Sequence, residues 1–432
     1  MIFQGLGGQR ELLRSSALLF VGNSTARLLG FLFSVAAARI LLPTDFGRFA
    51  FGLTIASIAA ILVANAPRGL SRFLARHDAD RREQDGYFSN WLAVVVVTLG
   101  LSLLLLGPIS LLAGLSGWIV FAVGANLLVV AVLETYREAQ RGLRHFAAIV
   151  IFYVAANLLQ LLAVLIAASL GWRSAALFLT IYGLSSLAAL ALMQLARPIA
   201  LSLLPDALSW PRIGSIFRFV RPLIFQTVFY AIWSGTDIVL VGRILGPTAT
   251  GHYAAAKTLV TVLALAPLAI AMVTGPEVAR RSQGGPQGLR QYVTLAVGLT
   301  GVVSLPVAAG LVLFKVPVIL LVFGSNYPLA SRPLPILAIG MTFYAFSLVL
   351  ESLWIGLGHP RIAAIASGLA MVCTVSLGLF LIPRIAEAGA ALAYAVGSAS
   401  QLIVLGAFTA WVLYSGSTGR AERYADRGIL EL

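Results

Sequence analysis

Runs of about 20 apolar residues recur from one end of this chain to the other, separated by short polar or glycine-containing breaks. A run of that length crosses the hydrocarbon core of a bilayer as a helix. No water is available there, so the backbone must satisfy its own hydrogen bonds. Twelve such spans can be placed, at 15–38, 48–66, 87–107, 118–135, 146–169, 174–196, 222–242, 252–275, 291–314, 333–356, 362–383 and 388–414. The third and fourth are the least cleanly separated, because Gly107, Pro108, Gly114 and Gly117 punctuate one long apolar region. Composition agrees with this ladder: 59% of the residues are hydrophobic and 11% charged, where soluble domains average about a quarter charged. The expectation is an all-α polytopic membrane protein. The first run has no small-residue cleavage site behind it and reads as a retained span.

The formal net charge is +14, which in a soluble chain would suggest nucleic acid as a partner. The positions of the charges exclude that reading. Twenty-one of the 30 Lys and Arg residues lie in segments 1–14, 67–86, 136–145, 197–221, 276–290, 357–361 and 415–432. Seven lie in the alternate segments 38–48, 108–117, 170–174, 243–251, 315–333 and 384–388. The positive-inside rule places the basic set, and both termini, in the cytoplasm. The basic residues are topological anchors and contacts for membrane lipid.

The clearest motif is a self-match. Residues 39–50 read RILLPTDFGRFA and residues 243–254 read RILGPTATGHYA, identical at seven of twelve positions. The register continues without gaps to Thr54/Thr258 and Ala75–Arg76/Ala279–Arg280. Both copies fall on the outer hairpin between the first and second spans of a half. Six spans per half give both halves the same orientation, a parallel repeat about the membrane normal. The expected lobes are 1–210 and 211–432. In the matched turn, proline is expected to stop the first helix and glycine to permit the reversal.

Several further segments resemble the multidrug/oligosaccharidyl-lipid/polysaccharide (MOP) exporter superfamily, most closely its polysaccharide transporter or O-antigen flippase branch. They are Asn23 through Gly47 with A-R-I-L-x-P-x-x-F-G, Phe323-Gly324-x-x-Tyr327, Leu357-Gly358-x-x-Arg361, and Ile382-Pro383 with Gly389-Ala390-Ala391. The resemblance covers nearly the whole chain. It implies a V-shaped fold of two six-helix lobes in the bacterial inner membrane. It also implies export of a polyprenyl-pyrophosphate-linked oligosaccharide by alternating access, in cell-surface or lipopolysaccharide biosynthesis. Partners would be a polysaccharide polymerase or glycosyltransferases. The superfamily also includes drug/cation antiporters and lipid II flippases, which stand as the alternatives.

Catalytic constellations are absent. The four histidines form no His-Glu-x-x-His pattern, no phosphate-binding GxxxxGK[ST] occurs, and the chain has two lysines. No cofactor or metal is implied, and the single cysteine, Cys373, rules out a disulfide framework. The longest outer segment, 315–333, contains no carboxylate or histidine, which argues against a membrane glycosyltransferase or ligase. Energy would come from the membrane potential, a coupling ion (H+ or Na+), or consumption of product outside.

Charges inside spans therefore carry the argument, because charge in hydrocarbon is costly. Arg27 lies near the middle of the first span, with Asn23, Gly30 and Ser34 on the same helix face at i, i+4, i+7 and i+11. A guanidinium there suits a pyrophosphate, which it can bind through two parallel hydrogen bonds. Arg27-x-x-Gly30 also resembles the first-span arginine motif of lipid II flippases. The alternative is an arginine that clamps helix carbonyls or a neighbouring acid. Asp237 and Lys257 lie on consecutive spans of one hairpin. They either pair with each other, or Lys257 contacts phosphate while Asp237 serves ion coupling. Glu351, in line with Tyr344, is a second ion-coupling candidate; interhelical bonding is its default. Glu134 reads as a solvated helix end. The stripes Tyr153/Asn157/Gln160 and Tyr394/Ser398/Gln401 are either a sugar path or helix glue.

Overall fold

A computed structural model describes residues 2–414 apart from 68, 77–79, 114–116, 197, 200 and 282–285. The expected cytoplasmic tail after Ser415 lies outside the described residues. These are helical almost throughout, with no strand among them. The helices are α1 Ile2–Ile40, α2 Pro43–Ala59, α3 Ile61–Asn65, α4 Leu70–Arg76, α5 Arg81–Ala113, α6 Gly117–Gly142, α7 Phe146–Ser169, α8 Ala175–Ala196, α9 Trp210–Ile244, α10 Pro247–Val260, α11 Leu265–Arg281, α12 Pro286–Leu313, α13 Lys315–Phe323, α14 Leu334–Gly356 and α15 Pro360–Tyr414.

Every expected span is helical. Eight helical stretches among the described residues are individually long and apolar enough to cross a membrane. The last of them, Pro360–Leu413, has 54 residues and holds two spans. Its helical geometry breaks at Ile385 and Ala386. Thr374 then bonds the carbonyl of Ala393, and Gln401 bonds Ser367. Those pairings step outward from the break in register, so the two limbs run antiparallel. Leu104, Phe121 and Val302 are 76%, 80% and 72% exposed, a surface suited to lipid tails and not to water.

By packing, the chain divides into two compact units, Met1–Val228 and Phe229–Leu432. Equivalent rungs pack in each. In the first unit α6 is covered by α2, α4, α5 and α8; in the second α14 is covered by α10, α11, α12 and α15. The core at one end of the first unit contains Leu70, Leu74, Trp91 and Ile216, each 0% exposed. Its counterpart in the second unit gathers Val278, Trp354, Ile362 and Leu405. The second rung is interrupted in both units: at Ala60 between α2 and α3, and at a 3-10 turn, Thr261–Ala264, between α10 and α11.

The matched turn works differently from its sequence reading. Gly47 and Gly251 are buried within α2 and α10, not in the reversal. Pro43 and Pro247 open the second helix of each pair, where a missing N–H costs nothing. The reversal itself is made by Leu42 in extended geometry (φ −68°, ψ 157°) and by Gly246 at φ 87°. Glu134 is also not at a helix end. α6 continues to Gly142, and Glu134 pairs with Arg137 one turn further on. Segment 315–333 is not a plain loop: it forms α13 and a 3-10 turn at Pro328–Ser331.

The stretch before α9, part of the basic connecting segment 197–221, is bound to the start of α5. Asp85 accepts from the Ser202 amide at 2.9 Å, Ser89 from the Leu204 amide at 2.8 Å and Asn90 from the Ser209 amide at 2.8 Å. Asn90 also donates to the Ala207 carbonyl at 2.8 Å, and Arg212 pairs with Glu83 at 3.0 Å.

Candidate functional site

α1 has three faces. Gly22, Ala26, Phe33 and Ala37 form the buried one, which packs on α7. A Cβ at Gly30 would meet Asn157 Oδ1 at 2.8 Å, so only glycine fits this contact without a shift. Leu18, Val21, Leu28 and Leu32 form an exposed apolar face suited to lipid. Asn23, Arg27 and Ser34 lie on a third face, rotated about a quarter of a turn from the buried face and about 155° from the exposed apolar one. Arg27 is exposed on it, with no hydrogen bond or ion pair among the described residues, while Ser34 bonds back to the Gly30 carbonyl at 3.0 Å. The stripe expected from the sequence is thus divided: Gly30 belongs to the contact with α7, while Arg27 is exposed. Nothing in the first unit's described residues clamps the guanidinium.

In the second unit Asp237 and Lys257 are paired. Lys257 Nζ lies 2.6 Å from Asp237 Oδ1 and 2.7 Å from Oδ2, and donates to the Ser234 carbonyl at 2.6 Å. Tyr253 donates its hydroxyl to Asp237 Oδ2 at 2.7 Å. The Ile238 amide donates to Oδ1 at 2.8 Å. The ring of Tyr394 lies 5.2 Å from the ammonium. The side chains of Lys257 and Asp237 are 12% and 0% exposed. Tyr253 was not singled out from sequence. The available signal was its i, i+4 spacing to Lys257, which places both on one face of α10.

Glu351 is half-buried on α14, two turns from Tyr344. In the two polar stripes the glutamines bond across helices, while Asn157 and Ser398 bond back to the carbonyls of Tyr153 and Tyr394 in their own helix. Gln160 on α7 bonds the Tyr182 carbonyl and Ser186 on α8. Ser398 and Gln401 are 0% exposed, and Gln401 ties the limbs of α15 together.

The fold is that of a multi-pass helical membrane protein, and solved transporters of the MOP superfamily share it. The chain is similar in fold to an inward-facing multidrug resistance MATE transporter (TM-score 0.75, 14% identity, 90% of this chain and 95% of that one). It is similar to the lipid II flippase MurJ in an inward closed conformation (TM-score 0.73, 13% identity, 91% and 87%). It also resembles a MOP transporter from Pyrococcus furiosus, described as having a binding pocket of reverse polarity (TM-score 0.63, 14% identity, 94% and 96%). Residues 36–332 match the polysaccharide biosynthesis protein family, and the chain belongs to that family. A curated relative from Haloferax volcanii, described as a probable low-salt glycan biosynthesis flippase, is 23% identical over 197 residues. That match spans 45% of this chain and 42% of the relative, less than half the length of either.

Proposed function

We propose that this chain is a flippase that carries a polyprenyl-pyrophosphate-linked oligosaccharide from the inner to the outer leaflet for surface polysaccharide assembly. The observation that carries the reading is Arg27: an exposed, unclamped guanidinium near the midpoint of a span, on a face separate from the lipid-facing and packing faces. Its planar fork matches a pyrophosphate. The pyrophosphate carries about two negative charges. An inside-negative potential of about 100 mV favours their outward movement by about 4–5 kcal/mol if they cross the whole field. A cation at mid-depth lowers the barrier where the headgroup is most poorly solvated. The family and the glycan-flippase relative support this substrate class over a drug/cation antiporter, whose cargo an exposed arginine would repel.

The test is glycan at the cell surface in a strain lacking the native copy. Arg27→Ala is expected to abolish surface glycan while the protein accumulates normally, and Arg27→Lys to retain part of it. Normal surface glycan with Arg27→Ala would remove the anion site and the argument built on it.

A further inference from the structure

We infer that the second unit contains a cradle for one monovalent cation, that its resident ion is the Lys257 ammonium, and that Asp237 is thereby closed to external ions such as sodium. The meaning of this for ion coupling rests on the transport reading above; the site itself does not.

The cradle is built of oxygens and one ring face. The three ammonium hydrogens have three acceptors, both oxygens of Asp237 and the Ser234 carbonyl, at 2.6–2.7 Å. Tyr394 offers its ring 5.2 Å away, a cation–π partner. Oxygen sets of this kind hold hard cations generally. Seen from the carboxylate, the site is full. An ionised carboxylate has about four acceptor positions. Those of Asp237 are taken by Nζ at both oxygens, by the Tyr253 hydroxyl and by the Ile238 amide. A second cation would find no free oxygen on Asp237 and would sit against the ammonium's charge.

The first unit shows that the fold does not require these groups. In the gap-free register of the repeat, the positions matching Asp237, Tyr253 and Lys257 are Phe33, Phe49 and Leu53. Phe33 and Phe49 are each 2% exposed and their rings meet edge to face at 6.0 Å. The same location is closed there by aromatic packing, with no charged pair.

The tether has a mechanical consequence. Lys257 lies in the last turn of α10, just before the 3-10 break at Thr261–Ala264. An ion fixed to α10 cannot leave the carboxylate on α9 unless α10 or its side chain moves. What would be ion exchange with solvent becomes an internal movement.

The experiment is a melting series on the purified full-length chain in detergent. Sodium, potassium or methylammonium chloride is added at constant ionic strength against choline chloride. Lys257→Ala opens the cradle. At least one of the three ions is expected to raise its melting temperature by about 3–5 °C at saturation. The wild type, and Asp237→Asn combined with Lys257→Ala, are expected to show no shift. An equal shift in the wild type would mean that Asp237 is open to external ions. No ion-specific shift in Lys257→Ala would mean that there is no cradle. Either result overturns the inference. If Lys257→Ala fails to accumulate, methylammonium is supplied during expression. Recovery of the protein by at least about fivefold supports the cradle, and no recovery overturns it. None of these readouts depends on transport, so this inference and the Arg27 reading fail separately.

Discussion

At one location the two units are filled by opposite chemistry. In the first, Phe33, Phe49, Phe178 and Tyr182 form an aromatic cluster with centroid separations of 6.0–6.4 Å. In the second, Asp237, Tyr253, Lys257 and Tyr394 form a hydrogen-bonded charged cluster. A buried ion pair is no more stabilising than well-packed hydrocarbon of similar volume. The first unit is therefore an internal control: it closes the same location without a charged pair.

The strongest way to break this comparison is to place half of the second unit's pair in the first. Phe33→Asp buries a carboxylate with no ammonium near it and is expected to cost about 3–5 kcal/mol. Membrane accumulation and melting in detergent report it. Adding Leu53→Lys should recover at least about half of that loss; no recovery would mean that the two locations are not equivalent. A smaller effect is expected from making the second unit more like the first. Tyr253→Phe copies Phe49 and removes one donor from the buried Asp237 carboxylate, a loss of about 1.5–3 kcal/mol by melting. The smallest effect concerns the paired turns. Gly246 is at φ 87° and its match Leu42 is at φ −68°. Gly246→Ala should cost about 1–2 kcal/mol, while Leu42→Ala, at a position 63% exposed, should stay within about 0.5 kcal/mol. Equal losses at both would contradict the left-handed backbone at Gly246.

The spans were legible because hydrocarbon imposes one requirement on every residue of a run, and α7 ends at the residues the hydropathy marks, 146 and 169. The interruption at Ala60 was not legible: alanine, isoleucine, leucine and valine surround it, so composition is the same on both sides. The one at Thr261–Ala264 did carry a signal, Pro267 in the first turn of α11, whose missing N–H cannot bond back to Leu263. Arg27 was legible as a charge in an apolar run, and its neighbours as a stripe. Its freedom from a clamp required the packing of α1 on α7. For Asp237 and Lys257 the sequence left two arrangements open, since both residues sit at the same depth on adjacent spans. The deciding groups were a backbone carbonyl at Ser234 and a tyrosine hydroxyl at Tyr253. The first has no residue identity, and the second reads as one more aromatic in an apolar helix.

The stretch before α9 has a consequence for how the gene can be altered. Its composition suggests a place to insert a tag or a cleavage site. Yet Asp85, Ser89 and Asn90, spaced over one and a half turns of α5, receive the amides of Ser202, Leu204 and Ser209 in fixed order. An insertion of one residue between 202 and 209 would put those amides out of step with three acceptors whose spacing is set by a helix. The stretch before α9 is a fitted joint and not a slack connection.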